Sequence, residues 1–245
     1  MRWLCFLLAS SAPAQTRSVK VLRFDVMALP ATRDSFVFFL DRKPRGFAVW
    51  QYESRPAGTG WQVVYTAYSQ FEPVEEEQLR VVLDGVTGAP LASFHHIELM
   101  SPMSDTTMVE HDLEVKDGAV DGRRRVTTKG GTAVIPVHRT LPPGAVWSNY
   151  ELYAAAVTNA LPGDSLAGPA YREFGDSVAT LRFVAGAPTT IAVPAGRFEV
   201  LPLRSGDFRL YVTRRAPRRV VKGETIDRHF SFELAGMAPV VPSHP

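Results

Sequence analysis

Histidine and carboxylate side chains cluster in one part of the chain, and together they have the chemistry of metal ligands. His95, His96 and Glu98 lie within four residues, and His111 follows after a short polar segment. In an extended strand, His96 and Glu98 share one face while His95 points to the other. If residues 101–106 close a symmetric hairpin, His96 pairs across from His111. Two imidazoles beside a carboxylate bind zinc or another divalent ion, so His96, Glu98 and His111 form a metal hypothesis. The alternative is a wet polar face on a two-stranded ribbon.

Signatures of nucleophilic catalysis are absent from the sequence. There is no Gly-x-Ser-x-Gly elbow and no His-Glu-x-x-His motif. The one cysteine, Cys5, lies in the N-terminal leader described below. Several carboxylates lie between residues 105 and 114, but they can equally well be solvated side chains of strands. The sequence does not identify two of them as an acid–base pair. We therefore expect no catalytic residues and no cofactor, and a hydrolase is the least favoured hypothesis.

The densest positive charge lies around the Ala216-Pro217 break. Its members are Arg214, Arg215, Arg218, Arg219 and Lys222. This spacing predicts either a site for phosphate or acidic headgroups, with Arg215 and Arg218 as candidate contacts, or a plain exposed turn. No aromatic residues interleave with the cluster as base stacking requires, and the net charge is only +2. Nucleic acid is therefore not an expected partner.

Aromatic residues fall mostly on one face of the predicted strands. They are Phe36, Phe38, Trp50, Tyr52, Trp61, Tyr65, Phe198, Phe208, Phe230 and Phe232. A large curved sheet lined in this way either fills its own core or encloses an apolar cavity. For a cavity, the candidate ligand-binding residues are Phe198, Phe208, Leu210, Phe230 and Phe232, with the basic turn near the mouth.

The C-terminal stretch 189–234 shows most clearly how such residues are positioned. Pro194-Ala195-Gly196 has the residues of a hairpin turn, because proline fixes φ and glycine accepts φ above zero. Ser205-Gly206-Asp207 is a second turn. Between and after these turns, apolar and polar residues alternate, for example at 208–213 and 229–234. This period of two predicts short strands of a sheet with one buried face.

The run Val193-Pro194-Ala195-Gly196-Arg197-Phe198, together with the later run from Tyr211 to Val221, resembles the C-terminal signature of the family catalogued as domain of unknown function 3108. A weaker echo lies at Gly46 and the apolar strand after it, so the resemblance spans about 36–234. It implies a secreted or periplasmic bacterial β-protein with no agreed activity. It therefore implies a fold and a compartment, but no site residues.

The rest of the chain fits the same architecture. Hydrophobic residues make up 45% of the chain and charged residues 21%, which is ordinary globular usage and excludes global disorder. Turn residues separate short alternating runs throughout, and helical spacing occurs only at about 145–161. We predict a mainly β protein, an antiparallel curved sheet or open β-barrel with one packing helix.

The N-terminus has the pattern of an export signal. Arg2 precedes a short apolar run, and Ala12-Pro13-Ala14 matches a cleavage site, so residues 1–14 are expected to be a signal peptide and 15–245 a single β-rich domain. No apolar run reaches the roughly 20 residues of a membrane-spanning helix. These features predict a periplasmic or secreted protein.

Three functions follow from these observations. The leading one is an envelope protein that binds a lipid or another hydrophobic or amphipathic small molecule in the concavity of its sheet. The second is a non-enzymatic scaffold that presents strand edges and loops to an envelope protein. The third is the hydrolase named above.

Overall fold

The computed structural model describes residues 18–72, 74–99, 105–148 and 150–240, and most of them lie in β-strands. The first half of the chain supplies β1 (Lys20–Val21), β2 (Thr32–Leu40), β3 (Lys43–Ala57), β4 (Gly60–Phe71), β5 (Val74–Asp84), β6 (Pro90–Leu99), β7 (Thr106–Lys116), β8 (Ala119–Thr128) and β9 (Gly131–Thr140). The second half supplies β10 (Val146–Trp147), β11 (Ser165–Arg172), β12 (Ser177–Ala185), β13 (Thr189–Val193), β14 (Gly196–Ser205), β15 (Phe208–Thr213), β16 (Val220–Thr225) and β17 (Phe230–Pro239). The one α-helix, α1, is Tyr150–Ala156, and a 3-10 turn occupies Val26–Ala28.

All seventeen strands belong to one sheet. β2 to β9 form an antiparallel meander, and β11 to β17 form a second series of antiparallel neighbours. The two series join where β17 pairs with β2, for example Phe232 with Phe38. β1 and β10 both pair in parallel with β11, and β9 forms the opposite edge.

Period-two burial confirms the predicted fold class. In β2, Phe36 and Phe38 are buried on one face, and in β17 the same holds for Phe232 and Leu234. A sheet this large twists and curls, so its apolar face turns inward upon itself. The protein is a mainly β, open and curved sheet with one short helix.

The sheet curls far enough for its two ends to meet through side chains. Arg124 on β8 donates a hydrogen bond to the backbone oxygen of Phe174, in the turn between β11 and β12, at 2.9 Å. Arg139 on β9 pairs with Asp176 of the same turn at 3.0 Å. The β11–β12 turn therefore lies against strands that are far from it in the hydrogen-bonded order.

The helix is shorter than predicted. Val146 and Trp147 pair as a strand with Ala170 and Tyr171 of β11, so the helix begins only after them. It ends before Val157, which forms a β-bridge with Phe24. These backbone pairings with the rest of the fold override the local helical spacing of residues 145–161. Within its seven residues, α1 packs on β15 and β16.

The predicted signal peptide lies outside the described residues. Among the residues that are described, no helix combines the length and the apolar character needed to cross a bilayer.

Candidate functional site

An aromatic cleft opens on the concave side of the sheet and has a volume of about 610 Å³. Seven aromatic side chains line it: Phe38, Trp50, Tyr65, Phe71, Phe208, Phe230 and Phe232. Phe38, Trp50, Tyr65 and Phe232 are buried and form its floor. The other three are partly exposed and form its rim. Adjacent strands contribute these rings because the cleft crosses the junction between β17 and β2.

The rings of the cleft pack on one another in edge and tilted arrangements. The centroids of Phe38 and Phe71 are 4.7 Å apart, and those of Trp50 and Phe232 are 5.1 Å apart. Phe208 and Phe232 lie nearly parallel at 6.1 Å. Gly223 on β16 faces this last pair, and a Cβ at Gly223 would lie 2.8 Å from the Phe208 ring and in collision with the Phe232 ring. The missing side chain therefore makes room for the aromatic floor.

A second, polar cleft of about 460 Å³ adjoins the aromatic cleft. The two clefts share the lining residues Glu77, Leu79, Ser148 and Arg172. Arg172 is exposed, and its guanidinium makes no hydrogen bond or ion pair with any described residue. Arg172 therefore places a positive charge, unpaired among the described residues, at the junction of the two clefts. Asp207 is the exposed carboxylate of the aromatic cleft, and it borders that cleft alone.

The polar cleft leads to a buried group of side chains that we call the His–Glu cluster: Glu77, Ser93, His95, His111 and Glu173. Ser93 and His95 lie two residues apart on β6 and therefore share a face. His95 lies opposite Leu79 of β5 and His111 of β7. Glu173 comes from the β11–β12 turn, which the curvature of the sheet brings over this face.

His95 lies between two carboxylates. Its Nδ1 is 3.1 Å from Glu173 Oε2 and its Nε2 is 3.0 Å from Glu77 Oε1. Ser93 donates a hydrogen bond to the other oxygen of Glu173 at 2.5 Å. Ser69 does the same for Glu77, also at 2.5 Å. Both oxygens of each carboxylate therefore make a hydrogen-bond contact.

These contacts set the protonation states of the cluster. Burial lowers the pKa of His95, but the hydrogen bonds and charges of Glu173 and Glu77 outweigh burial and raise it to about 9. Burial raises the pKa of each glutamate, yet the contact with His95 leaves both pKa values below the ordinary value. His95 is therefore an imidazolium between two carboxylates at neutral pH.

His111 differs from His95 in having no side-chain hydrogen-bond partner in the described part of the chain. Its side chain is fully buried, at 0% exposure, and neither ring nitrogen makes a hydrogen bond of acceptable distance and angle to a described residue. Burial lowers the pKa of His111. The charge and the backbone of Glu173 act to raise it, the positive charges of His95 and Arg124 act to lower it, and the net shift is downward. The ring is neutral, and the edge of Phe174 packs against it at a centroid distance of 5.0 Å.

Metal-ligand atoms converge in this cluster. One ligand atom from each of His95, His111 and Glu173 lies within 4.8 Å of the other two. The cluster does not have the arrangement of a nucleophilic triad, since Ser93 and Ser69 donate to carboxylates and both nitrogens of His95 are occupied by carboxylates.

The sequence-based pairing of His96 with His111 is wrong. His95 pairs with His111, and His96 pairs with Glu110. His96 therefore lies on the other face of the sheet, where its Nε2 is 3.2 Å from Glu98. The symmetric hairpin assumed for residues 101–106 was off by one residue, and a shift of one residue moves a side chain to the opposite face. His96 and Glu98 do not come together with His111.

The proposed ligand-binding residues divide into two groups. Phe208, Phe230 and Phe232 line the aromatic cleft. Leu210 is fully buried in the core, and Phe198 packs at its margin; neither borders the cleft.

The basic turn lies away from the aromatic cleft. Arg215 is exposed on this turn, whereas Arg218 is buried and donates a hydrogen bond to the backbone oxygen of Val157. Arg219 pairs with the buried Asp34 at 3.0 Å. The expectation of a basic turn at the cleft mouth is therefore wrong, and Arg172 is the cation that lies there.

Sequence reasoning missed Glu77, Glu173 and Arg172. Glu77 belongs to a run of three glutamates that predicts a solvated strand edge or loop, and only its contact with His95 sets it apart. Glu173 is 80 residues from Ser93, so no local pattern connects the two.

Comparisons with known proteins support no function. No protein-family model matches the chain. No curated protein matches it either. A solved β-barrel-like protein of domain of unknown function DUF1849 from Brucella abortus is 12% identical with a TM-score of 0.48, covering 91% of this chain and 100% of the other. A protein from Bacteroides fragilis, described as exported and as having a YmcC-like fold, is 12% identical with a TM-score of 0.34, covering 89% and 99%.

These comparisons correct the predicted family. The resemblance to domain of unknown function 3108 is wrong, because no protein-family model matches the chain. The residues behind the prediction are those of the hairpin between β13 and β14, in which Gly196 has φ of +134°. Such turn chemistry recurs in unrelated β-proteins and does not identify a family.

Proposed function

We propose that this chain is an exported envelope protein that binds a hydrophobic or amphipathic small molecule in the aromatic cleft. The observation that carries the proposal is the cleft itself, about 610 Å³ in volume and lined by seven aromatic side chains. Ligand pockets fall in a range of roughly 300–1,000 Å³ and are mostly apolar with a few polar groups. The aromatic rim rings are already exposed, so a ligand can reach the floor.

The charged residues of the cleft favour an acidic head on the ligand. Arg172 is exposed and without a partner among the described residues, and it stands at the polar end of the cleft. Glu77 at the same end is balanced by the imidazolium of His95. A long-chain carboxylate bound with its tail on Phe230 and Phe232 places its head by Arg172, where a charge-assisted hydrogen bond forms.

The first experiment is native mass spectrometry, with lipid extraction, on the mature protein purified from its own envelope. A co-purifying amphipathic molecule is expected. Purified, delipidated protein is then titrated with a fluorescent long-chain fatty acid. Phe230→Asp is expected to lower the affinity at least about tenfold, because it puts a carboxylate against the ligand tail. Arg172→Gln is expected to weaken fatty-acid binding more than binding of the matching alcohol.

Phe47→Asp is the matched control, because Phe47 is also a strand phenylalanine but lies 43% exposed and outside the cleft. Its affinity is expected to equal that of the wild type. A protein with no bound molecule and no uptake of fatty acid or alcohol contradicts the proposal, and so does equal loss in Phe47→Asp and Phe230→Asp. Circular dichroism on each variant shows that it is folded.

A further inference from the structure

We propose that His95, His111 and Glu173 bind a divalent transition metal ion of the zinc class. This site is separate from the aromatic cleft and does not depend on the function proposed above. It is also a different set of residues from His96 and Glu98, which lie on the opposite face of the sheet.

His111 is buried with the hydrogen-bonding capacity of its ring unsatisfied by the residues that the structure describes. Leaving a buried polar group without a partner costs about 1–3 kcal/mol, and such groups are rare in native proteins without a functional reason. Both ring nitrogens of His111 are in this position, and the ring lies beside two other ligand side chains. A metal ion satisfies one nitrogen and explains why an imidazole occupies a fully buried site.

The three side chains have the ligand types of a zinc site, and their donor atoms lie close together. Two imidazoles and one carboxylate are a known ligand combination for zinc, with a fourth position left to water or substrate. The three donor atoms now lie within 4.8 Å of one another, whereas donors around tetrahedral zinc lie about 3.3 Å apart. Closing this gap requires a rotation of the buried His111 ring, whose nitrogens make no hydrogen bond of acceptable geometry to a described residue.

Neighbouring side chains hold these donors in place. Glu77 accepts from Nε2 of His95 at 3.0 Å, which leaves Nδ1 directed at Glu173. A carboxylate that holds the far nitrogen of a ligand histidine is the usual arrangement around zinc. Ser93 orients Glu173 in the same manner. The Phe174 ring packs on both histidines in T-shaped contacts.

Charge and access are compatible with a divalent ion. Glu77 and Glu173 together supply two negative charges. When the metal binds, it replaces the proton between His95 Nδ1 and Glu173, and that proton leaves to solvent. Arg124 opposes the ion with its positive charge near His111. The polar cleft, which His95 and Glu173 line, is the route from solvent to the site.

Isothermal titration of the EDTA-treated mature chain with zinc chloride tests the proposal. One ion per chain is expected to bind. Glu173→Gln, which keeps the volume of the side chain, is expected to weaken binding at least about 100-fold, and so is His111→Leu. His96→Gln is the matched control, because His96 neighbours His95 in sequence but faces the other way; its affinity is expected to equal that of the wild type.

A second measurement requires no variant of the buried residues. The chain has six histidines, and nitrogen-correlated NMR spectra of the wild-type imidazole rings are recorded with and without zinc. The signals of His95 and His111 are expected to move. Shifts confined to the exposed rings of His138 and His229, or loss of zinc affinity in His96→Gln, mean an adventitious ion only and overturn the proposal, as does an absence of stoichiometric binding.

Discussion

At the scale of single residues, the most unusual feature is His95 held between two glutamates. One imidazolium is shared by the buried carboxylate of Glu173 and the partly exposed carboxylate of Glu77. Removing His95 leaves the buried carboxylate of Glu173 without its cation, which is more costly than replacing the whole set. The same holds on the other side of the core for Asp34 and Arg219, where burial raises the pKa of the aspartate against the lowering effect of Arg219.

The His–Glu cluster makes stability depend on pH in the metal-free protein. The pKa of His95 rises from 6.5 to about 9 on folding, so its contribution is fully present below pH 6.5 and is lost as the pH rises through about 9. We expect the free energy of unfolding to fall over this interval by up to about 3 kcal/mol. The lowered pKa values of Glu77 and Glu173 act in the acid range, where their contribution is lost as the pH falls below 4.5.

Urea denaturation in EDTA at pH 6 and pH 9.5 measures this loss. His95→Gln is expected to show a much flatter pH dependence than the wild type. His138→Gln removes an exposed imidazole and is expected to keep the wild-type dependence. Equal slopes for the wild type and His95→Gln are the result that contradicts the assignment.

At the scale of secondary-structure elements, the aromatic cleft depends on how β15, β16 and β17 are paired. Gly223 lies in the middle of these strands, directly opposite Phe232. A glycine here weakens the strand slightly, but it gives the rings of Phe208 and Phe232 a flat surface on which to lie. The glycine therefore lowers the strand propensity of β16 and at the same time makes room for the aromatic floor of the cleft.

Gly223→Ala is expected to disturb this floor. The added Cβ collides with the Phe232 ring and lies 2.8 Å from the Phe208 ring, so the rings must move. We expect a loss of about 1–3 kcal/mol in the free energy of unfolding and weaker fatty-acid binding. Gly168→Ala is the control, because its Cβ meets only the Leu22 side chain at 3.5 Å. Urea denaturation of both variants measures the difference; equal stabilities contradict this role of Gly223.

At the scale of the whole molecule, the sheet curls but its two edges are not joined by a hydrogen-bonded ladder. Side chains of Arg124 and Arg139 connect β8 and β9 to the β11–β12 turn instead. Among the described residues, the outer edge of β9 has no strand partner. Pro136 lies on this strand and lacks a backbone donor, which discourages pairing with another chain.

Hydrogen exchange is expected to report this architecture. Outward-facing amides of β9 have no ladder partner and are expected to exchange orders of magnitude faster than amides of β3, which pairs on both sides. Exchange measured by mass spectrometry on peptides from residues 131–140 and 46–56 compares the two. Equal protection of β9 and β3 contradicts an open edge and indicates that another strand covers it.

The sequence by itself determined the fold class and the inward faces of the strands. Alternation at 208–213 and 229–234 and the hairpin turns at 194–196 and 205–207 are local patterns, and local sterics and burial decide them. For this reason Phe208, Phe230 and Phe232 were correctly placed on the concave face. The family resemblance rested on the same local patterns, and they are too common to identify a family.

Only the tertiary structure decided which residues meet. Strand register across residues 101–106 depends on the whole meander, and a shift of one residue put His95 rather than His96 beside His111. Backbone pairing with β11 and Phe24 shortened the helix. Glu173 joins Ser93 from 80 residues away because the twist accumulated over the twelve strands from β11 to β6 brings the β11–β12 turn over β6. No short-range sequence pattern encodes the curvature of the sheet, so the His–Glu cluster could not be predicted from the sequence.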